Sequence, residues 1–244
     1  MPPVQNVLVT GASRGLGLAI VKSLLAEGVS VIGLSRKTSA ELESLVDNHA
    51  NQFRFAPLDL NDPGQLSAER FQDEICQQQP LHGLVNNAAL AYDDLITNLK
   101  LEPLETLFRV NMTSPMLLTK FAIRNMLLHK IAGSIVQVSS ISAHTGYKGL
   151  AMYAATKGAM ESFSKNTARE WGTKKIRSNC VVPGFMETEM SAGLDEQQKG
   201  RIYKRTALKE PASLESVANT VAFLLSDKAS SITGQNLVVD SGTI

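Results

Sequence analysis

Short hydrophobic stretches alternate with longer segments of helical periodicity along the whole chain. Short apolar runs predict buried strands, and their alternation with helical patterns is typical of βαβ units in a parallel sheet. The predicted strands are Asn6–Thr10, Ser30–Leu34, Phe53–Leu58, Leu81–Asn86, Ser134–Ser139, Ile176–Val182 and Asn236–Val239. The predicted helices are Gly15–Glu27, Ala40–Ala50, Gly64–Gln79, Leu104–Lys130, Ala151–Trp171 and Leu214–Ser226. Right-handed crossovers between these strands predict an α/β fold, a Rossmann-type doubly wound domain with a seven-stranded parallel sheet flanked by helices.

No repeat, low-complexity linker or break in composition divides the 244 residues, so we expect residues 1–244 to form one domain. A formal net charge of +1, from 24 basic and 23 acidic residues, gives no electrostatic reason to expect nucleic acid or an anionic membrane as a partner. Two cysteines, Cys76 and Cys180, and four separated histidines form no metal-binding pattern, so no metal is expected.

The chain shows no signal of membrane insertion or export. No apolar run reaches the ~18 residues that a membrane span requires. The first apolar run begins at Val7, too close to the start for a signal or transit peptide. We therefore expect a soluble, cytoplasmic protein.

A glycine-rich turn, Thr-Gly-Ala-Ser-Arg-Gly-Leu-Gly from Thr10 to Gly17, follows the first predicted strand and opens the first helix. Glycines allow the backbone to approach a pyrophosphate, which the helix N-terminus stabilises through free N–H groups and its dipole. The turn alone is a weak signal, and its setting between strand and helix is what predicts a nucleotide site. The alternative is a tight turn with no ligand.

Three residues around the fifth predicted strand suggest acid–base chemistry. Tyr153 and Lys157 are one helical turn apart, which places their Cβ atoms about 5–6 Å from each other. A nearby ammonium lowers the pKa of a phenol, so Lys157 is expected to make Tyr153 a usable proton donor. Ser140 follows an apolar run, at the carboxyl end of a strand, where open α/β sheets bind ligands. The Tyr-x-x-x-Lys spacing by itself also fits a solvated surface pair.

Cofactor preference follows from the residues after the second strand. An acidic residue at that place would bind the ribose 2′-hydroxyl of NAD, but the chain has Ser35, Arg36 and Lys37. The Arg36 guanidinium can form a bidentate contact with a 2′-phosphate, and Arg14 adds a second cation nearby. These residues predict NADP(H); the alternative is two solvated loop cations.

The ordered set of motifs resembles the short-chain dehydrogenase/reductase family, from about Val4 to Gly242. The set comprises the glycine-rich turn, Asn86-Asn87-Ala88-Ala89, Asn111, Ser140, Tyr153, Lys157 and Pro183-Gly184. Within the family, the chain looks most like the 3-oxoacyl-[acyl-carrier-protein] reductases. Three stretches suggest this similarity: Val182–Met190, Val221–Ser226 and Ile232–Gly234.

The resemblance implies roles for individual residues. Tyr153 would protonate the carbonyl oxygen as hydride arrives, Ser140 would bind that oxygen, and Lys157 would hold the nicotinamide ribose. Asn111 would disrupt its helix and hold a water that relays protons to Lys157; the alternative is a core polar residue. Asp59 would accept from the adenine amino group, or cap a helix. The implied cofactor contacts are Gly11, Ser13, Arg14, Leu16, Gly17, Arg36, Asp59, Leu60, Asn87, Ala88, Ala89, Tyr153, Lys157, Pro183, Gly184, Met186 and Thr188.

The chain departs from the family pattern at two positions that carry glycine in relatives. Ala89 and Ser241 each add a β-carbon close to cofactor or to a subunit contact. Such a β-carbon is tolerated where φ is negative and space allows a methyl group. Ser139 lies beside Ser140, and alternation along the strand should turn the two side chains to opposite faces.

The predicted substrate is a small-molecule or carrier-bound acyl ketone. Residues 187–209 mix apolar and charged residues and predict an amphipathic lid, or else an ordinary surface helix. An apolar pocket is expected from Met186, Met190, His144, Tyr147 and Met152. Lys174 and Lys175 follow the predicted catalytic helix, and the resemblance matches Lys174 to a basic docking position for an acidic acyl carrier protein, whereas Ile131 beside Lys130 departs from it.

Alternative functions remain at this point. The same fold would also suit three other functions. These are a polyketide-type ketoreductase, a carbonyl reductase or alcohol dehydrogenase working on free small molecules, and a non-catalytic NADP(H) sensor.

A homotetramer is also expected. Helix Leu104–Lys130 carries more apolar surface than one face needs, and helix Ala151–Trp171 carries small residues that permit close packing across a two-fold axis.

Overall fold

A computed structural model describes residues 5–191, 193 and 195–244 of the protein, and the side chain of Met190 is not described. Seven parallel strands form one sheet in the order β3-β2-β1-β4-β5-β6-β7. Every predicted strand is confirmed, with ends shifted by at most two residues. The strands are β1 (Asn6–Thr10), β2 (Ser30–Ser35), β3 (Phe53–Pro57), β4 (Gly83–Asn86), β5 (Ser134–Val138), β6 (Arg177–Pro183) and β7 (Asn236–Val239).

Among the described residues, seven α-helices connect these strands, and four of the predicted helices are confirmed as continuous elements. Helix α6 lies inside the segment for which the sequence predicts an amphipathic lid. The helices are α1 (Gly15–Ala26), α2 (Ala40–Asn48), α3 (Leu101–Phe108), α4 (Ser114–Leu128), α5 (Ala151–Trp171), α6 (Glu196–Arg205) and α7 (Leu214–Leu225). Each of these helices in the described part of the chain is too short or too polar to cross a membrane.

The predicted helix Gly64–Gln79 is wrong as a continuous α-helix. The chain instead forms a 3₁₀ turn at Pro63–Gln65 and a π-helical segment at Arg70–Ile75. The side chain of Arg54 on β3 donates to the carbonyls of Glu74 and Ile75, so these acceptors are used outside the helical ladder. The chain then leaves the helix through two residues in the left-handed region, Gln77 and Gln78.

The predicted helix Leu104–Lys130 is also interrupted. Helix α3 begins earlier, at Leu101, and a π-helical segment at Arg109–Thr113 separates it from α4. Asn111 occupies the middle of this segment, which confirms the expectation that the helix is disrupted there. A π segment holds one extra residue per turn, so the residues before and after it present different faces to the sheet.

Two hydrophobic layers cover the two faces of the sheet. Val7 and Val9 of β1 pack with α1 and α7 on one face, whereas Leu8 between them packs with α4 on the other. This alternation follows from the pleat of a strand. The strand order reverses between β1 and β4, and open α/β sheets bind ligands at the carboxyl ends of the strands beside such a reversal.

Candidate active site

The glycine-rich turn forms a cradle between β1 and α1. Gly11 and Gly15 have φ values of 68° and 53°, in the region that favours glycine. A β-carbon on Gly17 would lie 2.0 Å from the carbonyl oxygen of Gly11, so only glycine fits there. Arg14, the N-cap of α1, makes no side-chain capping bond. The N–H groups of the first turn of α1 therefore face the cradle, and such groups with the helix dipole suit an anionic phosphate.

Hydrogen bonds join this cradle to the end of β4. The Thr10 hydroxyl oxygen accepts from the backbone N–H groups of Asn87 and Ala88, both at 3.0 Å. The Asn87 side chain donates back to the Thr10 carbonyl at 2.9 Å. Ala89 follows outside the positive-φ region, so it meets the backbone part of the condition for a tolerated departure from glycine. The two turns form one rigid floor at the reversal of the sheet.

Other predicted nucleotide contacts lie around the same edge. Leu16 is buried at the start of α1, and the Ser13 carbonyl accepts the Ser39 hydroxyl at 2.7 Å. After β3, the Asp59 carboxylate accepts the N–H of Asn61 at 2.9 Å. The carbonyl of the buried Leu60 accepts the Ser114 hydroxyl at 2.6 Å.

The two predicted phosphate-binding arginines differ in their surroundings. Arg36 is exposed just after β2. Arg14 forms an ion pair with the carboxylate of Glu189, in the segment that follows β6. In this structure the Arg14 guanidinium is directed to that carboxylate, and its part in binding a 2′-phosphate stays a prediction. Sequence reasoning missed Glu189 because the two residues are far apart in the chain.

The segment after β6 lies against the cradle. A β-carbon on Gly184 would lie 2.6 Å from the Cα atom of Asp240, and one on Gly15 would contact the Thr188 methyl group at 3.8 Å. Pro183 is the last residue of β6, and Met186 is half-buried against the core. Of the other predicted pocket and lid residues, Leu194 and the side chain of Met190 lie outside the described part of the chain.

Ser241 stands where relatives carry glycine, and it does not meet the condition of a negative φ. Its φ is 56°, so a serine occupies a conformation that favours glycine. Its carbonyl accepts the N–H of Leu208, and Gly242 accepts from Ala207. These two bonds hold the segment after α6 against the C-terminal residues and keep Ser241 in its conformation.

Ser140 and Tyr153 meet at the carboxyl end of β5. The Ser140 hydroxyl is close enough to the Tyr153 phenol to lower its pKa, and it accepts the N–H of Ser142 at 3.2 Å. The neighbouring Ser139 hydroxyl donates to Glu161 instead, at 2.5 Å. The two serines thus have different partners, but Glu161 and Tyr153 both lie on α5, so the prediction of opposite faces is not confirmed.

The ammonium of Lys157 is not directed at the Tyr153 hydroxyl. Its Nζ atom donates to the Val138 carbonyl at 2.8 Å and lies 5.5 Å from the centroid of the Tyr153 ring. Burial raises the pKa of Tyr153 to about 12, with the neighbouring Ser140 hydroxyl opposing the rise and Asp93 adding to it. In this state desolvation dominates and the net shift is upward, so the lowering of this pKa by Lys157 stays a prediction.

Burial acts on Lys157 in the opposite direction. The side chain is 4% exposed, and burial lowers its pKa to about 8. Desolvation disfavours the charged form of any group, so it raises the pKa of a phenol and lowers that of an ammonium. Lys157 can therefore gain and lose a proton near neutral pH, whereas Tyr153 stays protonated there.

Asn111 is held entirely by protein groups. Its Oδ1 accepts the N–H of Leu90 at 2.8 Å, and its Nδ2 donates to the Leu90 carbonyl at 2.9 Å and to Thr156 at 3.1 Å. Thr156 in turn donates to the carbonyl of Tyr153 at 2.7 Å. Both amide hydrogens are thus used, so a water near Asn111 would need the main chain to bind it. Sequence reasoning missed the role of Thr156. Its position directly before Lys157 in the Tyr-x-x-x-Lys motif is the signal that could have pointed to it.

Sequence comparisons place these features among known proteins. Residues 11–243 match a family profile described as enoyl-(acyl carrier protein) reductase. The 3-oxoacyl-[acyl-carrier-protein] reductase of Escherichia coli K12 is 35% identical over 237 residues, which are 96% of this chain and 95% of that protein. The L-xylulose reductase of Caenorhabditis elegans is 35% identical over 240 residues, 98% of this chain and 95% of that protein.

Solved structures of dehydrogenases and reductases are also similar to this chain over nearly its whole length. A gluconate 5-dehydrogenase from Burkholderia cenocepacia J2315, in complex with NADP and tartrate, matches with a TM-score of 0.90 at 25% identity, covering 98% of this chain and 94% of that one. A short chain dehydrogenase/reductase family protein matches with a TM-score of 0.85 at 30% identity, covering 98% and 96%. Since both the profile and these relatives extend over nearly all of the fold described above, the chain belongs to the short-chain dehydrogenase/reductase family of oxidoreductases.

Proposed function

We propose that the protein reduces a ketone to a secondary alcohol with NADPH, and that its substrate is a 3-oxoacyl thioester. The observation that carries this proposal is the placement of Ser140 beside Tyr153, with the buried Lys157 ammonium 5.5 Å from the centroid of the Tyr153 ring, at the sheet edge that also holds the glycine cradle. A proton donor next to a dinucleotide cradle is the arrangement that carbonyl reduction requires.

The residues present fit a nicotinamide dinucleotide. Gly11 and Gly17 leave a cradle that β-carbons would fill, and the first turn of α1 offers N–H groups to phosphate. We place Asn87, Ala88 and Thr188 along the same cofactor, with Asp59 toward its adenine. When bound, the cofactor supplies the hydride.

The protein's own groups then handle the proton. Ser140 hydrogen-bonds the carbonyl oxygen and orients it toward Tyr153. The Tyr153 hydroxyl, which keeps its proton because burial raises its pKa to about 12, gives that proton to the oxygen as negative charge develops there. An alkoxide is a stronger base than a phenolate, so this transfer is downhill. Lys157, with a pKa of about 8, resupplies the proton and contacts the nicotinamide ribose.

We propose Arg36 as the residue that selects NADPH over NADH. Arg36→Ala should weaken NADPH binding and leave NADH binding nearly unchanged, narrowing the preference by roughly tenfold, because a charge-assisted hydrogen bond contributes about 1.5–3 kcal/mol. Titration of both cofactors by fluorescence measures this. Lys22→Ala, which removes an exposed cation paired with Glu41, is the matched control. Equal losses for both cofactors in Arg36→Ala would show a structural role.

The substrate class rests on the named relatives. Several 3-oxoacyl-[acyl-carrier-protein] reductases match over nearly the whole chain, which favours a 3-oxoacyl thioester. Lys174 and Lys175 are exposed and could contact an acidic acyl carrier protein, whereas Ile131 packs into the core and offers no charge. A second candidate is a sugar-derived ketone, favoured by the L-xylulose reductase and by the gluconate 5-dehydrogenase structure.

A direct comparison of substrates decides between these candidates. We would measure kcat/KM with NADPH for a short 3-oxoacyl thioester, with and without carrier protein, and for xylulose and 5-ketogluconate. The proposal predicts the highest value for the thioester. Higher values for the sugars would favour the second candidate, and binding of NADPH without turnover of any ketone would favour a sensor.

We propose that residues 187–209 cover the substrate. In helix α6, all of whose residues are described, no residue is buried in the core. The Tyr203 hydroxyl donates to Glu187 at 2.6 Å, and Lys199 lies 3.8 Å from the same carboxylate. These exposed contacts tie α6 to the segment after β6 and would open at little cost, as a lid requires.

We propose that the protein is a homo-oligomer, specifically a homotetramer. Leu128 on α4 is 65% exposed, and Ala159 and Phe163 on α5 are only half-buried. Light scattering at micromolar concentration should therefore give a mass above that of one chain, because a second copy would cover these faces. A stable, active monomer would contradict this and leave the faces as ordinary surface.

A further inference from the structure

A buried carboxylate lies directly behind the proposed catalytic residues. Glu161 is on α5, one turn after Lys157, and is 7% exposed. Its Oε1 atom accepts the Ser139 hydroxyl at 2.5 Å and lies 2.9 Å from Nε2 of His144. Its Oε2 atom accepts the Asn236 side-chain amide at 2.6 Å. One carboxylate thus joins α5 to the end of β5, to the turn that follows β5, and to β7.

Two of these partners flank Ser140 in the chain. Ser139 precedes Ser140, and His144 ends the 3₁₀ turn Ile141–Ala143, whose first N–H groups are bonded to the Ser140 side chain and carbonyl. Glu161 therefore holds the Ser140 turn from both sides. The same helix carries Tyr153 and Lys157, so the carboxylate sets the distance between the two halves of the site.

We propose that Glu161 is a positioning residue that fixes the Ser140 turn against the helix bearing Tyr153 and Lys157. The role rests on the proposed ketone reduction, and it follows from the cost of burying a carboxylate. Burial of this charge is unfavourable unless several donors satisfy it, and here three donors from separate elements converge on it. Removing the carboxylate leaves those donors without an acceptor, so the turn shifts and Ser140 moves away from Tyr153. A shift of about 1 Å in a reacting group can cost on the order of 100-fold in rate.

Replacing Glu161 by glutamine removes the negative charge but allows the hydrogen bonds to its three partners to remain. In Glu161→Gln, the remaining oxygen can accept from Ser139 and His144, and the new amide can donate to Asn236 if the Asn236 amide turns over. The Oδ1 atom of Asn236 is buried and has no partner among the described residues, so it can take that hydrogen bond. Glu161→Leu keeps the volume and removes every acceptor.

The test compares these variants with Ser164→Ala, which breaks a buried hydrogen bond to Ser178 one turn further along the same helix. We expect Glu161→Leu to lower kcat by roughly 30-fold while the Kd for NADPH changes less than about 3-fold. The kcat of Glu161→Gln should stay within about 3-fold of the wild-type value, and so should the kcat of Ser164→Ala. Equal kcat values for Glu161→Leu and Ser164→Ala would overturn the role.

The kinetics of His144→Ala and amide hydrogen exchange test the role of Glu161 in two further ways. If Glu161→Leu does not fold, His144→Ala removes one half-exposed partner, and it should lower kcat by about 3-fold or more; unchanged kcat would overturn the role. If the wild type reduces no ketone, the proposed function fails separately. Amide hydrogen exchange then tests the clamp itself: Glu161→Leu should lose protection in residues 141–149 relative to Ser164→Ala, and equal protection would refute it.

Discussion

Replacing Tyr153 by phenylalanine should abolish nearly all turnover while the protein still folds and binds NADPH. The change removes one hydroxyl, which the structure places beside Ser140. General acid catalysis contributes typically 10²–10⁴-fold to rate, so we expect kcat to fall by about that factor. Steady-state kinetics with a 3-oxoacyl thioester, together with a fluorescence titration of NADPH, measures both quantities.

The control for this prediction is Tyr92→Phe. The Tyr92 hydroxyl accepts the backbone N–H of Lys100 at 2.9 Å, a contact that involves neither Ser140 nor Lys157. Its loss should change kcat by less than about 3-fold. Turnover in Tyr153→Phe close to that of Tyr92→Phe would show that another group protonates the carbonyl oxygen.

The second large effect concerns stability and pH. Lys157→Met should raise the free energy of unfolding at pH 7 by about 3 kcal/mol while abolishing turnover, because the native protein buries an ammonium whose pKa falls from 10.5 to about 8. Below pH 8 both folded and unfolded chains carry the charge, so the full cost of burial is present. Between pH 8 and 10.5 the unfolded chain binds more protons than the folded one. Wild-type stability therefore rises with pH in this window, and the advantage of the variant shrinks.

Urea unfolding at pH 7, 8, 9 and 10 measures this difference. The pH range stops at 10 because the raised pKa of Tyr153 makes stability fall from about pH 10 to 12 in both proteins. Lys165→Met, which replaces an exposed lysine on the same helix, should change stability little at any pH. A difference between wild type and Lys157→Met that stays constant from pH 7 to 10 would show that Lys157 is not desolvated as described.

The sheet was predictable from sequence because its strands are buried on both faces. A run such as Val7-Leu8-Val9 is apolar at every position, and the structure buries all three side chains, alternately against α1 and α4. The helix interruption at Asn111 was predictable from the family resemblance. The π-helical segment at Arg70–Ile75 was not, because Arg54, which donates to the carbonyls at its end, comes from strand β3.

The site was only partly predictable for a similar reason. Helical spacing places Lys157 beside Tyr153, but it does not fix the direction of the ammonium, which depends on the Val138 carbonyl of β5. The same limit applies to Glu161, because Asn236 lies 75 residues further along the chain. Contacts between distant segments, rather than local periodicity, determine the pKa values and the clamp behind Ser140.

The central claim is that the protein transfers hydride from NADPH to a carbonyl carbon, and isotope transfer tests it most directly. The purified protein would be incubated with a short 3-oxoacyl thioester and NADPH deuterated at the transferable C4 position, and the product analysed by mass spectrometry and NMR. We expect a 3-hydroxyacyl product with one deuterium on the carbinol carbon, formed in proportion to the NADPH oxidised and nearly absent with Tyr153→Phe. Tight binding of NADPH with no deuterated alcohol from this substrate or from the sugar-derived ketones would contradict the claim.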